Sequence, residues 1–108
     1  MHVVVFEVWP KAEHKGEYLD IAAALRSDLE QVDGFISVER FASLTEEGKL
    51  LSLSFWRDED SIARWRAQQT HRAAQGRGRH ELFRDYRLRV AEVARDYGPE
   101  DRDEAPQP

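Results

Sequence analysis

The stretch from His2 to Trp9, His-Val-Val-Val-Phe-Glu-Val-Trp, is apolar on both sides of a period-two pattern. Val4, Phe6 and Val8 fall on one side, and Val3, Val5 and Trp9 on the other. A strand that is apolar on both faces is buried on both. In a chain of 108 residues this is a strong constraint. A domain of that size buries roughly two thirds of the surface its unfolded chain exposes, which supports one core with little apolar volume to spare.

Pro10 ends the strand. Tyr18, Ile21, Ala22, Leu25, Leu29 and Val32 then recur at spacings of three and four, which predicts one amphipathic helix up to the stop at Asp33-Gly34. Phe35 to Leu44 alternates, with Phe35, Ser37, Glu39 and Phe41 on one side. After the turn Thr45 to Lys49, Leu50 to Trp56 alternates again, so the pair reads as a hairpin. Asp58 to Ser61 supplies acids and a capping side chain for a second helix, in which Ile62 and Trp65 share a face. Thr70 reads as a second helix start after a break. The piece it opens runs through His71, Ala74 and Gln75 to Gly76 and Gly78. Tyr86, Leu88 and Val90 against Ala91 and Val93 predict a last strand ending near Tyr97-Gly98-Pro99, although Leu82 to Arg95 can also be drawn as a helix.

The resulting order is β-α-β-β-α-β, an α+β fold of the ferredoxin-like type with a four-stranded antiparallel sheet. Right-handed crossovers place both helices on one face. The domain spans residues 1–99, and residues 100–108 form an acidic, Pro-containing tail expected to be disordered. Helices cover one sheet face, yet the first strand is apolar on both. The open face therefore calls for a partner, most economically a second copy packed sheet on sheet in a two-fold homodimer.

Composition narrows the chemistry. The chain has no cysteine, which removes disulfides, thiol nucleophiles, iron–sulfur clusters and cysteine-ligated zinc. The four histidines show no metal-ligand spacing, so no metal site is expected. Charge is uneven: residues 1–63 carry six Lys or Arg against thirteen acids, and residues 64–89 carry eight Arg against two acids. The Arg-rich segment fits a solvated helix face, and the net charge of -5 repels a polyanion at long range, so no nucleic-acid partner is expected. No run approaches the ~20 apolar residues of a membrane span, and Met1 to Trp9 lacks a basic leader, so the expectation is a cytoplasmic protein without membrane contact. No nucleophile elbow or phosphate-binding loop is present.

The layout from Val3 to Tyr97 resembles the antibiotic biosynthesis monooxygenase (ABM) superfamily of dimeric α+β barrels. The features that carry the resemblance are the first-strand run, the Gly34-Phe35 entry to the second strand and Leu53-Ser54-Phe55-Trp56 in the third. Asp58 to Arg66 with Thr70-His71-Arg72, and Tyr86-Arg87-Leu88-Arg89-Val90, complete it. The family includes cofactor-independent monooxygenases that make quinones from aromatic polyketides, quinol monooxygenases and haem-degrading monooxygenases. The resemblance implies an oxygenase for a small aromatic or quinol, with no cofactor or, alternatively, with haem as a bound ligand. A non-catalytic dimer is the third reading.

Cofactor-free oxygenation needs an electron-rich phenol held away from water beside dioxygen, with a proton acceptor at hand. The cavity for it would lie between helices and sheet. Of the polyketide members' pattern, an asparagine, a tryptophan four residues later and a tyrosine six after that, only Trp65 carries over. Ser61 and His71 stand at the other two offsets. Haem-degrading members use a first-strand asparagine and a histidine about ten residues after the tryptophan. This chain has no asparagine, and Gln75 stands at that offset. Trp65 is then a core residue, a stacking wall for a planar ligand, or both. His71 is a candidate proton acceptor or haem ligand, or a solvated residue at a helix junction. Tyr18 and Tyr86 are candidate pocket hydroxyls or core residues. Arg40, Arg87 and Arg89 either fix an anion or pair with Glu39, Glu7 or Glu92.

Overall fold

A computed structural model describes residues 1–73 and 82–107, the backbone alone for 70–73. The chain runs β1 (His2–Pro10), a 3-10 turn (Ala12–His14), α1 (Lys15–Ala24), α2 (Arg26–Glu30), β2 (Phe35–Ala42), β3 (Leu50–Trp56), α3 (Glu59–Ala73) and β4 (Phe83–Glu92). The sheet is antiparallel throughout with strand order β2-β3-β1-β4, the ferredoxin-like arrangement predicted from the sequence. β1 lies between β3 and β4; Val4 and Val8 meet the helices on one face, and Val3 and Val5 are half-buried on the other. Among the described residues no helix is long and apolar enough to cross a membrane.

Both helical layers pack on one face, called inner below. Leu29 and Val32 from the first helical segment and Ile62 and Trp65 from α3 meet Val4, Val38 and Trp56 in one apolar cluster. Tyr18 meets Val8 and Leu50 in a second, with Phe6 and Phe83 against it. The single predicted helix over Tyr18–Val32 is two helices that bend at Leu25. The backbone ladder survives the bend, with Leu25 N–H donating to Ile21 O at 3.0 Å and Leu29 N–H to Leu25 O at 3.0 Å. The bend lets the first half serve one cluster and the second half the other, and it leaves Ile21 39% exposed where the periodicity places it inward.

Three further expectations change. α3 continues through Thr70 to Ala73 without a break there, while the Ala74-to-Gly78 piece lies outside the described residues. The strand alternation predicted from Phe35 is interrupted by a bulge between Phe35 and Ser37, which leaves Ile36 52% exposed. One extra residue reverses the facing of everything before it, so Phe35 turns inward onto Trp56, ring centroids 5.3 Å apart. β4 ends at Glu92, and Tyr97-Gly98 lies beyond it in a turn closed by Gly98 N–H donating to Asp101 O at 2.7 Å. Arg102 donates to Gly98 O at 3.1 Å and covers the Tyr97 ring.

Candidate active site

The sheet register aligns the inner face into transverse rows. Val38, Ser54, Val4 and Val90 form one row, and Ala42, Leu50, Val8 and Tyr86 another. The first belongs to the Trp65 cluster and the second to the Tyr18 cluster. Between them runs Arg40, Ser52, Phe6 and Leu88. Two neighbouring apolar clusters are thus separated by a row that begins with a guanidinium and a hydroxyl and ends with Leu88, 41% exposed. In this seam polar groups and partly exposed apolar surface lie side by side on the inner face.

Tyr18 reaches the seam from α1. Its side chain is buried, and burial pushes the phenol above its ordinary range. The Arg40 guanidinium lies beside the phenol oxygen, and its charge and hydrogen bonding pull the other way without overcoming burial. Tyr18 is therefore a neutral phenol at physiological pH, with its oxygen facing a cation and its O–H free to be a donor. The Arg40 Nε is itself buried and has no hydrogen-bond partner. A buried N–H of a charged group left unmatched is costly, on the order of 1–3 kcal/mol or more, and such a group calls for an explanation.

Aromatic rings complete the wall. Phe83 meets Tyr18 edge-on at 5.2 Å and Phe6 at 5.9 Å, and Tyr86 lies 5.9 Å from Phe6. Of the predicted site residues, Tyr18, Arg40 and Tyr86 thus share one region of the inner face. Phe6, Ser52 and Phe83 are contributors that the sequence reading did not single out. The alternation in β1 and β3 carried a signal for Phe6 and Ser52, since both fall on the helix-facing side of their strands.

The remaining candidates stand elsewhere. Trp65 is 8% exposed in the first cluster, beside Trp56 and Ile62. Ser61 is fully buried at the start of α3, where its hydroxyl donates to Asp58 Oδ1 at 2.7 Å and its backbone N–H to the same oxygen at 2.9 Å. Asp58 is thereby the capping side chain within the stretch Asp58 to Ser61. These two bonds, with Arg57 beside it, hold its carboxyl far below the usual range. Ser61 also accepts from Arg64 Nη2 at 3.3 Å. Its hydroxyl is engaged in holding the helix start, away from the Arg40 row. His71 falls on the last turns of α3, and its side chain lies outside the described residues, as do Arg72, Arg77, Arg79 and His80.

Of the other histidines, His14 pairs with Glu17 at 3.2 Å. His2 lies on the helix-facing side of β1 opposite Trp56, with Nδ1 buried and unmatched. Among the described residues no group of three His, Cys, Asp or Glu side chains is placed to hold a metal ion. The outer sheet face carries a different constellation. Glu7 accepts from Arg89 at 2.8 Å and from Lys49 at 3.0 Å, and these two cations hold its carboxyl below the usual range. This is the cross-strand pairing predicted for Arg89. A concavity of about 250 Å³ beside it is lined by Val5, Glu7, Phe41 and Lys49 among others.

Comparison with known proteins agrees with this architecture. Residues 1–77 match the family model described as antibiotic biosynthesis monooxygenase. A jasmonate monooxygenase of Pyricularia oryzae is 48% identical over 93 residues, covering 86% of this chain and 43% of that protein, so the chain spans less than half of that relative's length. The uncharacterised protein YqjZ of Bacillus subtilis is 32% identical over 85 residues, covering 79% of this chain and 73% of that one. Among solved structures, Rv0793 of Mycobacterium tuberculosis superposes with a TM-score of 0.76 at 15% identity, covering 90% of this chain and 98% of that one. MhuD of the same organism, a haem degrader solved with two hemes in its active site, superposes with a TM-score of 0.70 at 17% identity, covering 91% and 100%. The structural likenesses speak for the fold, and the sequence match over residues 1–77 for the lineage: the chain belongs to the antibiotic biosynthesis monooxygenase family.

Proposed function

We propose that the chain is a monooxygenase that works without a cofactor on a small aromatic or quinol substrate bound in the inner-face seam. The observation that carries this reading is the Arg40–Tyr18 pair, a cation beside a neutral phenol that belongs to the second apolar cluster. Family membership and the 48% identical monooxygenase support the reaction class. An electron-rich phenol, once deprotonated, can give an electron to dioxygen directly. Conversion of an activated CH2 to C=O then uses both oxygen atoms, one in the carbonyl and one in water, so no external reductant is needed. Within this reading Arg40 draws the electron-rich substrate into the seam, and Phe6, Phe83 and Tyr86 exclude water and stack on it. His71 is the proposed proton acceptor, and Trp65 the apolar backing of the far wall.

Oxygen uptake by the purified protein over a panel of anthrols, naphthols and quinols tests the proposal, with jasmonic acid added because of the relative's name. Uptake above the buffer rate, lowered in His71→Ala, is the expected result. Rates equal to buffer across the panel would overturn it. The second reading is haem binding, motivated by the superposition with MhuD. In it His71 would hold the haem, and a hemin titration with no Soret shift, or a shift unchanged in His71→Ala, rejects it.

We also propose that the functional unit is a homodimer closed across the outer sheet face. Val3, Val5, Leu51, Leu53 and Phe55 line that face half-buried, and Phe41 is 40% exposed on it. Contiguous apolar surface of this kind marks an interaction site.

A further inference from the structure

We propose that Arg40 and Tyr18 form a carboxylate subsite, so that the substrate is a small organic acid whose acid group sits away from the atom that reacts. The inference rests on the oxygenase reading for the word substrate, and on the structure alone for the word carboxylate.

Arg40 is the cation of the seam. It projects from an edge strand to the inner face, in the row that also holds Ser52 and Phe6. Its Nε is buried and lacks a partner, and among the described residues no carboxylate is paired with it. Three other cations near the sheet are matched: Arg89 and Lys49 bind Glu7, and Arg57 binds Asp33 at 3.0 Å. A guanidinium half-withdrawn from water with an open N–H is short of one acceptor, and an anionic acceptor satisfies both its charge and its geometry.

The second donor decides which anion. Tyr18 is a neutral phenol whose oxygen faces Arg40, so its O–H points to something other than the guanidinium. Two donors on two different side chains are both satisfied by an acceptor with two oxygens. A phenolate would have to take both donors on one atom, whereas a carboxylate gives each donor its own oxygen, in a plane that also fits an arginine fork. The rest of the seam, Phe6, Phe83 and Tyr86, is aromatic, which suits the ring or chain attached to that acid group. Lysine at position 40 would keep the charge and lose the fork, and glutamine would lose both.

Binding of 2-naphthoate, its methyl ester and 2-naphthol to the full chain, followed by calorimetry under argon, tests this without turnover. The acid is expected to bind wild type at least tenfold more tightly than the ester. Arg40→Gln is expected to remove that preference, and Arg40→Lys and Tyr18→Phe to reduce it, with ester binding unchanged. Equal affinity of wild type for acid and ester, or an acid preference that persists in Arg40→Gln, overturns the proposal. The wild-type comparison stands even where a variant fails to fold. Arg40-dependent binding of the acid with no oxygen uptake supports the subsite and rejects only the oxygenase reading. Uptake on neutral naphthols at rates indifferent to Arg40→Gln does the reverse.

Discussion

Gly34 and Ser61 share a space that admits one side chain. A Cβ on Gly34 would collide with the Ser61 hydroxyl and crowd its Cβ, and Gly34 also holds a backbone φ of +94°, in the region that favours glycine. Its carbonyl accepts from Arg57 N–H at 2.7 Å, fixing the end of β3 against the start of β2. Gly34→Ala is therefore expected to destabilise by at least about 2 kcal/mol, combining overpacking with left-handed strain. For a chain near 100 residues each kcal/mol lowers the thermal midpoint by roughly 4–8 °C. Ser61→Gly removes the collision and not the strain, so the double variant should recover part of the loss. Thermal unfolding of the four proteins of this cycle checks the coupling, and additive losses would reject it.

The same helix start titrates. Asp58 accepts both bonds from Ser61 and is flanked by Arg57 at 3.0 Å, so its carboxyl is held far below its ordinary value in the folded chain. A lowered folded pKa stabilises the fold above the unfolded value, about 3.9, and that stabilisation is lost as pH falls through the folded value. Asp33, lowered by Arg57, acts in the same direction. Asp58→Ala should lower the thermal midpoint equally at pH 7 and pH 5, and the gap from wild type should close well below pH 4. A gap that widens on acidification would contradict this assignment.

These two features differ in how far the sequence revealed them. Asp58 as a cap is a local signal, an acid three residues before Ser61 at the head of an apolar helical run. The apolar character of β1 on both faces is equally legible, because it stands in the alternation of its own residues. The bend at Leu25 and the bulge at Ile36 have no local punctuation, since neither carries Gly or Pro: the bend joins segments that serve different clusters, and the bulge brings Phe35 onto the same cluster as Val38. Tyr18 and Arg40 could each be named as candidates from residue type, yet their apposition depends on how α1 lies over β2. Spacing along the chain does not encode that. Ser61 shows the opposite error, a family offset that suggests ligand contact at a position whose hydroxyl is committed to Asp58.

Trp65 separates core from wall. It packs at 8% exposure with Trp56, Val4 and Val38, and truncation of such a residue costs about 3–5 kcal/mol. Trp65→Ala should unfold or nearly unfold the domain at 37 °C. Trp65→Phe retains much of the buried area and should fold. If the indole also backs the substrate, the phenylalanine variant raises KM for planar substrates with a smaller change in kcat. An unchanged KM in a folded Trp65→Phe protein would leave Trp65 a core residue alone.

The outer face gives the sharpest test of assembly. Leu53 lies in β3 between Val5 of β1 and Glu39 of β2, in the middle of the apolar surface opposite the helices. Its side chain belongs to neither inner cluster, so a charge there leaves the packed core in place and penalises a facing sheet by burying an unpaired carboxylate. Wild type is expected to scatter light at twice the chain mass of 12.6 kDa, and Leu53→Asp at that mass itself, with the helix and strand signals of circular dichroism retained. The Glu7 network adds a second handle. Glu7→Gln leaves Lys49 and Arg89 without their shared acceptor, placing two like charges on the face proposed to meet its own copy. It should weaken the dimer most at low salt, where repulsion is least screened. A monomeric wild type at micromolar concentration would reject the sheet-to-sheet homodimer outright.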